Sequence, residues 1–145
     1  MNTTASSVTD TVPSVEDFFR HVDEHDFDWV EAALTPDCVI DAPGFRQEGA
    51  EVVALWMAGF FAAFPDLRHR PHRVIAGDNE VVCLVEVTGT HTEELGFPDG
   101  SALPPTGASI RVELAEFWRY EGDRIAEYKV VYDQAGFLAQ LGVGA

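Results

Sequence analysis

Asp133 stands where a strand-like stretch, EYKVVY, runs into an apolar helix-like stretch, QAGFLAQL. A carboxylate in that place has two uses. It can cap the helix by accepting from backbone N–H groups. Turned toward an apolar pocket, it can instead take a proton from a carbon next to a carbonyl and return it. The two uses compete, because a carboxylate held by backbone N–H groups is a weaker base.

The preceding hairpin supplies partners for either use. Gly122-Asp123 reads as a two-residue turn between SIRVELAEFWRY and RIAEYKVVY, and such a turn fixes the register. Counting outward, Glu121 opposes Arg124, Trp118 opposes Glu127, Glu116 opposes Lys129 and Leu114 opposes Val131. Side chains alternate between faces, so Glu127, Lys129, Val131 and Asp133 share a face with Val112, Leu114, Glu116 and Trp118. A largely apolar face carrying Glu116, Lys129 and Asp133 suits proton transfer. Desolvation raises a carboxyl pKa, a nearby ammonium lowers it, and the ammonium can also stabilise a developing enolate. The plainer reading is a cross-strand ion pair between Glu116 and Lys129. A turn one residue different in length brings Arg119 onto this face instead.

Other candidates lie upstream. His91 ends a strand whose same-face residues are Val81, Cys83, Val85 and Val87. It is placed to orient a carbonyl or relay a proton near neutral pH, or to sit at the core edge bonded to backbone. Trp56, Phe60 and Phe64 recur every four residues on one helix face, as core residues do and as the lining of an internal cavity does. Asp41 closes the strand-like CVID, either at the expected pocket mouth or as the opening residue of a turn at Ala42-Pro43-Gly44. Together with Leu114, Trp118 and Val131, these side chains form the expected substrate surface. His69 and His72 in RHRPHR have arginines beside them and no third ligand, so no metal site is expected there and a solvated edge strand is.

The elements needed to position these groups are legible. Ser14 and Asp26 cap two short helices, and Pro36 is expected to end the second. Glu51 to Phe64 reads as a buried helix stopped by Pro65, and a final helix covers about Gln134 to Leu141. After Leu67 the stretches HRVIAG, EVVCLVEVTGTHT, SIRVELAEFWRY and RIAEYKVVY are strand-like, with turn formers between them. Helices first and a long antiparallel sheet after give an α+β layout. One domain over 14–145 is expected, behind a polar, flexible arm over 1–13 that lacks the basic and apolar regions of a signal peptide.

With 46% hydrophobic and 23% charged residues, the composition is that of a globular protein. A net charge of -16 disfavours nucleic acid and anionic membrane surfaces as partners. Val52 to Phe64 is too short an apolar run to span a bilayer. Cys38 and Cys83, without metal-ligand spacing, read as buried free thiols, which fits a reducing, cytoplasmic setting.

FFAAFPDL, GDNEVVCLVEVTGTHTEELG, PPTG, FWRYEGDRIAEYKVVYD and FLAQLG, in that order, resemble the SnoaL-like polyketide cyclases. The resemblance covers most of the chain from about Phe60 onward. It implies the nuclear-transport-factor-2-like cone, a curved antiparallel sheet wrapped round helices with a deep apolar pocket, and frequent homodimers. It also implies ring closure by intramolecular aldol condensation without metal or organic cofactor, on a polyketide-like small molecule. The acid/base aspartate of such proteins matches Asp133. Three places depart from the pattern: Glu93 follows GTHT where a glycine is usual, FPDGSAL (97–103) lengthens the loop before PPTG, and Lys129 stands where tryptophan is common.

Asp133 as base and then acid, assisted by Lys129, Glu116 and His91, is therefore the expected catalytic set. Opening of an epoxide by a carboxyl pair, Asp133 with Glu116 or Asp41, is the alternative chemistry. A non-catalytic binding or dimerisation module, and an accessory subunit that helps a reductase hydroxylate a polyketide, are the remaining readings.

Overall fold

The computed structural model describes residues 14–143. The expected N-terminal arm therefore falls outside the described residues. Two short helices open the described residues, α1 (Val15–Asp23) and α2 (Phe27–Ala32). Ser14 Oγ accepts from Asp17 N at 3.0 Å, and Asp26 Oδ1 accepts from Trp29 N at 3.4 Å, so both expected caps are made. A third helix, α3 (Ala50–Ala63), is apolar around most of its circumference and ends before Pro65. A last one, α4 (Gln134–Gln140), follows the final strand.

The described residues also form eight strands: β1 (Leu34–Ala42), β2 (Phe45–Glu48), β3 (Arg68–Ala76), β4 (Glu80–Thr90), β5 (Leu95–Gly96), β6 (Ala102–Leu103), β7 (Ser109–Glu121) and β8 (Arg124–Val131). Six form one curved sheet in the order β2-β1-β8-β7-β4-β3, while β5 and β6 make a small separate hairpin. The helices lie over the inner face of the sheet, which completes the α+β cone expected above. Two differences from the sequence reading concern β1. Pro36 does not end α2 but lies inside β1, where an irregularity in the pairing between Leu34 and Val39 accommodates it. The sheet is antiparallel except at one joint, where β1 runs parallel to β8.

β4, most of β7 and β8 beyond Ala126 alternate between buried and more exposed positions, which sets the core on the inner face. Along β4, Val81, Cys83, Val85 and Val87 are buried, with Trp118, Tyr128 and Ile125 on neighbouring strands and Phe18, Phe19 and Val22 of α1 packed against them. Both cysteines are free and buried, as expected.

The β7–β8 hairpin turns where expected, with Glu121 opposite Arg124 and Gly122 at φ +62°. One step further in, Tyr120 opposes Ile125 but Arg119 opposes Glu127, so Ala126 is an extra residue on β8. Glu116 then pairs with Val130, and it is Phe117 that pairs with Lys129. The register inferred from the turn alone is therefore wrong by one residue beyond the bulge. A shift of one residue sends every later side chain of β8 to the opposite face.

Candidate functional site

The inner face of the sheet, α1, α3 and α4 enclose an apolar chamber that admits water centres over about 70 Å³. That is several times the roughly 10–15 Å³ one water requires. Trp56 and Phe60 of α3 and Phe64 at its C-cap line it, as do Leu114 and Glu116 of β7, so the structure brings these five expected residues together. Tyr128 of β8 takes the place opposite Trp118 that the turn count gave to Glu127, and Val130 the place opposite Glu116 that it gave to Lys129.

Among the described residues Glu116 is the one carboxylate on the chamber wall, and it is almost wholly inaccessible, at 2% exposure. Trp118 does not line the chamber. It sits behind Glu116, and its indole Nε1–H donates to Glu116 Oε1 at 3.0 Å. Burial pushes the Glu116 pKa up to about 7. Hydrogen bonds from Tyr128 and Trp118 and the charge of nearby His69 oppose the rise without cancelling it. Near neutral pH the group therefore exists in both forms, which is what a residue that accepts and returns a proton requires.

His69 was expected on a solvated edge strand. The strand is at the edge, but alternation sends Arg68 and Arg70 outward while His69, opposite Val87, points in and lines the chamber. Asp23, at the end of α1, holds it by both carboxylate oxygens. Oδ2 accepts from the His69 backbone N at 3.0 Å, and Oδ1 lies 2.7 Å from Nδ1. The carboxylate accepts, so Nδ1 carries the proton and Nε2 is the ring nitrogen left for a ligand. The ring also stacks on Phe19, with centroids 4.9 Å apart. His72, at the bulge of β3, points outward to Glu113 at 2.7 Å and stays on the solvated edge.

The other expected site residues lie elsewhere. Lys129 and Val131 face outward because of the bulge, and Val131 is 45% exposed. Asp41 pairs with Lys129 in register on that outer face, with its Oδ2 3.1 Å from Arg46 and 3.6 Å from Lys129 Nζ, so it is neither at a pocket mouth nor in a carboxyl pair. Asp133 is exposed and serves as the N-cap of α4, its Oδ1 accepting from Gly136 N at 2.8 Å. Gly136 leaves room for that carboxylate where any Cβ would collide with it. Glu116, Lys129 and Asp133 thus do not meet.

His91 is fully buried but does not line the chamber, from which the Phe64 ring separates it at a centroid distance of 5.2 Å. Its Nδ1 accepts from Thr106 N at 3.2 Å and lies 2.9 Å from Thr106 Oγ1. Nε2 has no partner. Among the described residues, no group of three or more His, Cys, Asp or Glu side chains has the geometry to hold a metal ion. No helix among them is long and apolar enough to cross a membrane.

Two measurements test these placements. The raised Glu116 pKa means folding favours the protonated group. Its stabilising contribution is complete below the ordinary value of 4.5 and is lost as pH rises through about 7. Glu116→Gln, which keeps shape and stays neutral, is expected to unfold like wild type at pH 4 and to be more stable by up to about 3 kcal/mol at pH 8, read by urea unfolding at both pH values. For the α4 cap, Asp133→Ala is expected to lower stability by about 1 kcal/mol and Asp133→Asn by much less. Equal losses in the two would exclude a dominant capping role.

The family model of the SnoaL-like polyketide cyclases matches residues 13–141. No curated protein matches the sequence. Among solved structures, a protein from Jannaschia sp. CCS1 assigned as a SnoaL-like polyketide cyclase superposes with a TM-score of 0.80 at 18% identity, over 97% of this chain and 94% of its own. IdmH of Streptomyces antibioticus, assigned as a polyketide cyclase, gives 0.74 at 23% identity, over 94% of this chain and 99% of that one. An LEH-like epoxide hydrolase of M. tuberculosis gives 0.68 at 20% identity, over 94% and 92%. At these identities the structural likenesses establish the shared fold, and the family match over nearly all the described residues goes further: the chain belongs to the SnoaL-like polyketide cyclases.

Proposed function

We propose that this protein closes a ring on a polyketide-like substrate by cofactor-independent acid/base catalysis, with Glu116 as the proton-transfer residue. The observation that carries this reading is a single carboxyl group, buried in an apolar wall and with a pKa near 7. Ionised Glu116 removes a proton from a carbon next to a carbonyl. The resulting enolate carbon forms a bond to a second carbonyl carbon of the same molecule. The alkoxide so created takes a proton back, and the product is an isomer of the substrate. His69 Nε2–H, when the ring is protonated, donates to a carbonyl oxygen, and the Asp23 carboxylate offsets the ring's charge. An apolar chamber strengthens these interactions and excludes competing water.

Epoxide opening by two carboxylates has less support. It needs a second acid on the chamber wall, and the candidates for that role, Asp41 and Asp133, lie outside it. The plainest test is genetic. The gene is deleted in its native host and complemented with wild type or Glu116→Gln, and extracts are read by mass spectrometry. The expected outcome is an uncyclised metabolite of identical mass in the deletion strain, cleared by wild type but not by the variant. Loss of a general base corresponds to a rate lower by about 10²–10⁴. Full restoration by Glu116→Gln would overturn the assignment.

We further propose a homodimer joined through the outer sheet face. Ile75, Val82 and Phe117 lie in one cross-strand row there, beside a row holding Leu84, Ala115 and Val131. Phe117 is 43% exposed and Ile75 56%, which leaves an apolar area that water disfavours. Sedimentation is expected to give a dimer for wild type and a monomer for Phe117→Arg.

A further inference from the structure

The inserted stretch FPDGSAL builds one wall of a second hollow. Its turn is held by its own atoms: Phe97 N donates to Ser101 O at 2.8 Å, and Asp99 Oδ1 accepts from Ser101 N at 2.9 Å and from Ser101 Oγ at 2.6 Å. β5 and β6 flank the turn and fix Phe97 and Pro98 at the lip. Opposite stand Phe45 from the β1–β2 hairpin and Leu138 from α4. This outer hollow admits water centres over about 230 Å³, more than the inner chamber. The two volumes share Trp56, Phe60, Tyr132 and Phe137 as lining residues, so they adjoin at these aromatic side chains.

Gly59 provides an independent observation. It lies in the interior of α3, where glycine costs about 1 kcal/mol relative to alanine. Its backbone has no positive φ, and a Cβ built on it meets no atom within 4 Å. Neither conformation nor close packing accounts for a glycine here. Gly59 is exposed and lines the outer hollow, so a side chain added there would stand at the hollow's edge.

We propose that the outer hollow is a second binding chamber, which receives the unreactive hydrocarbon end of a ketone substrate while its carbonyl end lies against Glu116 and His69. Gly59 and Phe97 then determine how large that end is. The proposal rests on the inner chamber being the place where the carbonyl reacts. The lining suits hydrocarbon: Ala42, Pro43, Phe45, Leu95 and Leu138 contribute no side-chain polar atoms, and the polar groups among the lining side chains are the Gln134 amide, the Tyr132 hydroxyl and the Trp56 indole N–H.

Binding is measured by tryptophan fluorescence on the full chain with straight-chain methyl ketones of four to eleven carbons as probes. Each methylene taken out of water tightens binding roughly fourfold. In wild type the tightening is expected to continue to the longest ketones. In Gly59→Leu, which adds a bulky side chain at the edge of the hollow, it is expected to stop at an intermediate length, with the short ketones bound as in wild type and thermal stability undiminished. Phe97→Ala supplies a second variant on the opposite wall and is expected to weaken the long ketones alone, by tenfold or more. The proposal is overturned if wild-type affinity stops rising at the shortest chains, or if both variants keep the full wild-type dependence on length. The experiment reads binding without turnover. An inactive Glu116→Gln variant that retains the length dependence confirms the chamber, and a Glu116→Gln variant that stays active defeats the catalytic assignment without touching it.

Discussion

Ala126 has no partner on β7, and the side chains of β8 beyond it face the way that one unpaired residue dictates. With the bulge, Tyr128 and Val130 enter the chamber, and Lys129 and Val131 leave it. Without it, an ammonium would lie beside Glu116, and the carboxyl would be held ionised. The wall opposite Glu116 is instead a phenol and a valine, so burial prevails over ion pairing and the pKa rises. The same bulge sends Lys129 to Asp41 on the outer face, where the pair is exposed and contributes little to stability. Proton transfer in the chamber and the mixed character of the outer face are thus two results of one irregularity in pairing.

Much of this was readable beforehand because local signals and burial agree. The caps at Ser14 and Asp26, the stop at Pro65 and the turn at Gly122-Asp123 are short-range chemistry, and the structure keeps them. The stripe of Trp56, Phe60 and Phe64 and the inward direction of Glu116 follow from simple periodicity. The bulge was harder to see, because alanine carries no bulge signal. The one trace it leaves is the adjacent apolar pair Ile125-Ala126, which breaks the alternation of β8. His69 was obscured for a different reason. Its arginine neighbours suggest solvent, yet strict alternation through RHRPHR places the histidine on the face opposite the first two arginines. Its partner Asp23 is 46 residues away, beyond the reach of any local pattern.

Asp133 shows how a motif can fix structure while its chemical role is read elsewhere. It ends the strand in the place the family resemblance gives to an acid/base aspartate, but its carboxylate is turned to the N–H of Gly136 and away from the chamber. Glu116 has the opposite surroundings: no backbone donor holds it, and it is nearly inaccessible. Two carboxylates of one chain thus have opposite surroundings, and it is burial that raises the pKa of Glu116.

The parallel joint between β1 and β8 bears on how the chain acquires its shape. β8 lies between β1 and β7, so β1 and β2 have no connection to the rest of the sheet until the last of the strands is in place. A hairpin such as β7–β8 can close from neighbouring residues, whereas the β1–β8 pairing must bring together segments some ninety residues apart, from Leu34–Asp41 to Ile125–Lys129. Contacts of such long range carry a loop-closure cost that is met before they return any stability, and folds dominated by them form slowly. During synthesis the edge of β1 that pairs with β8 is therefore the part left open until the last strand emerges, and joining the two halves of the sheet is expected to be a late step.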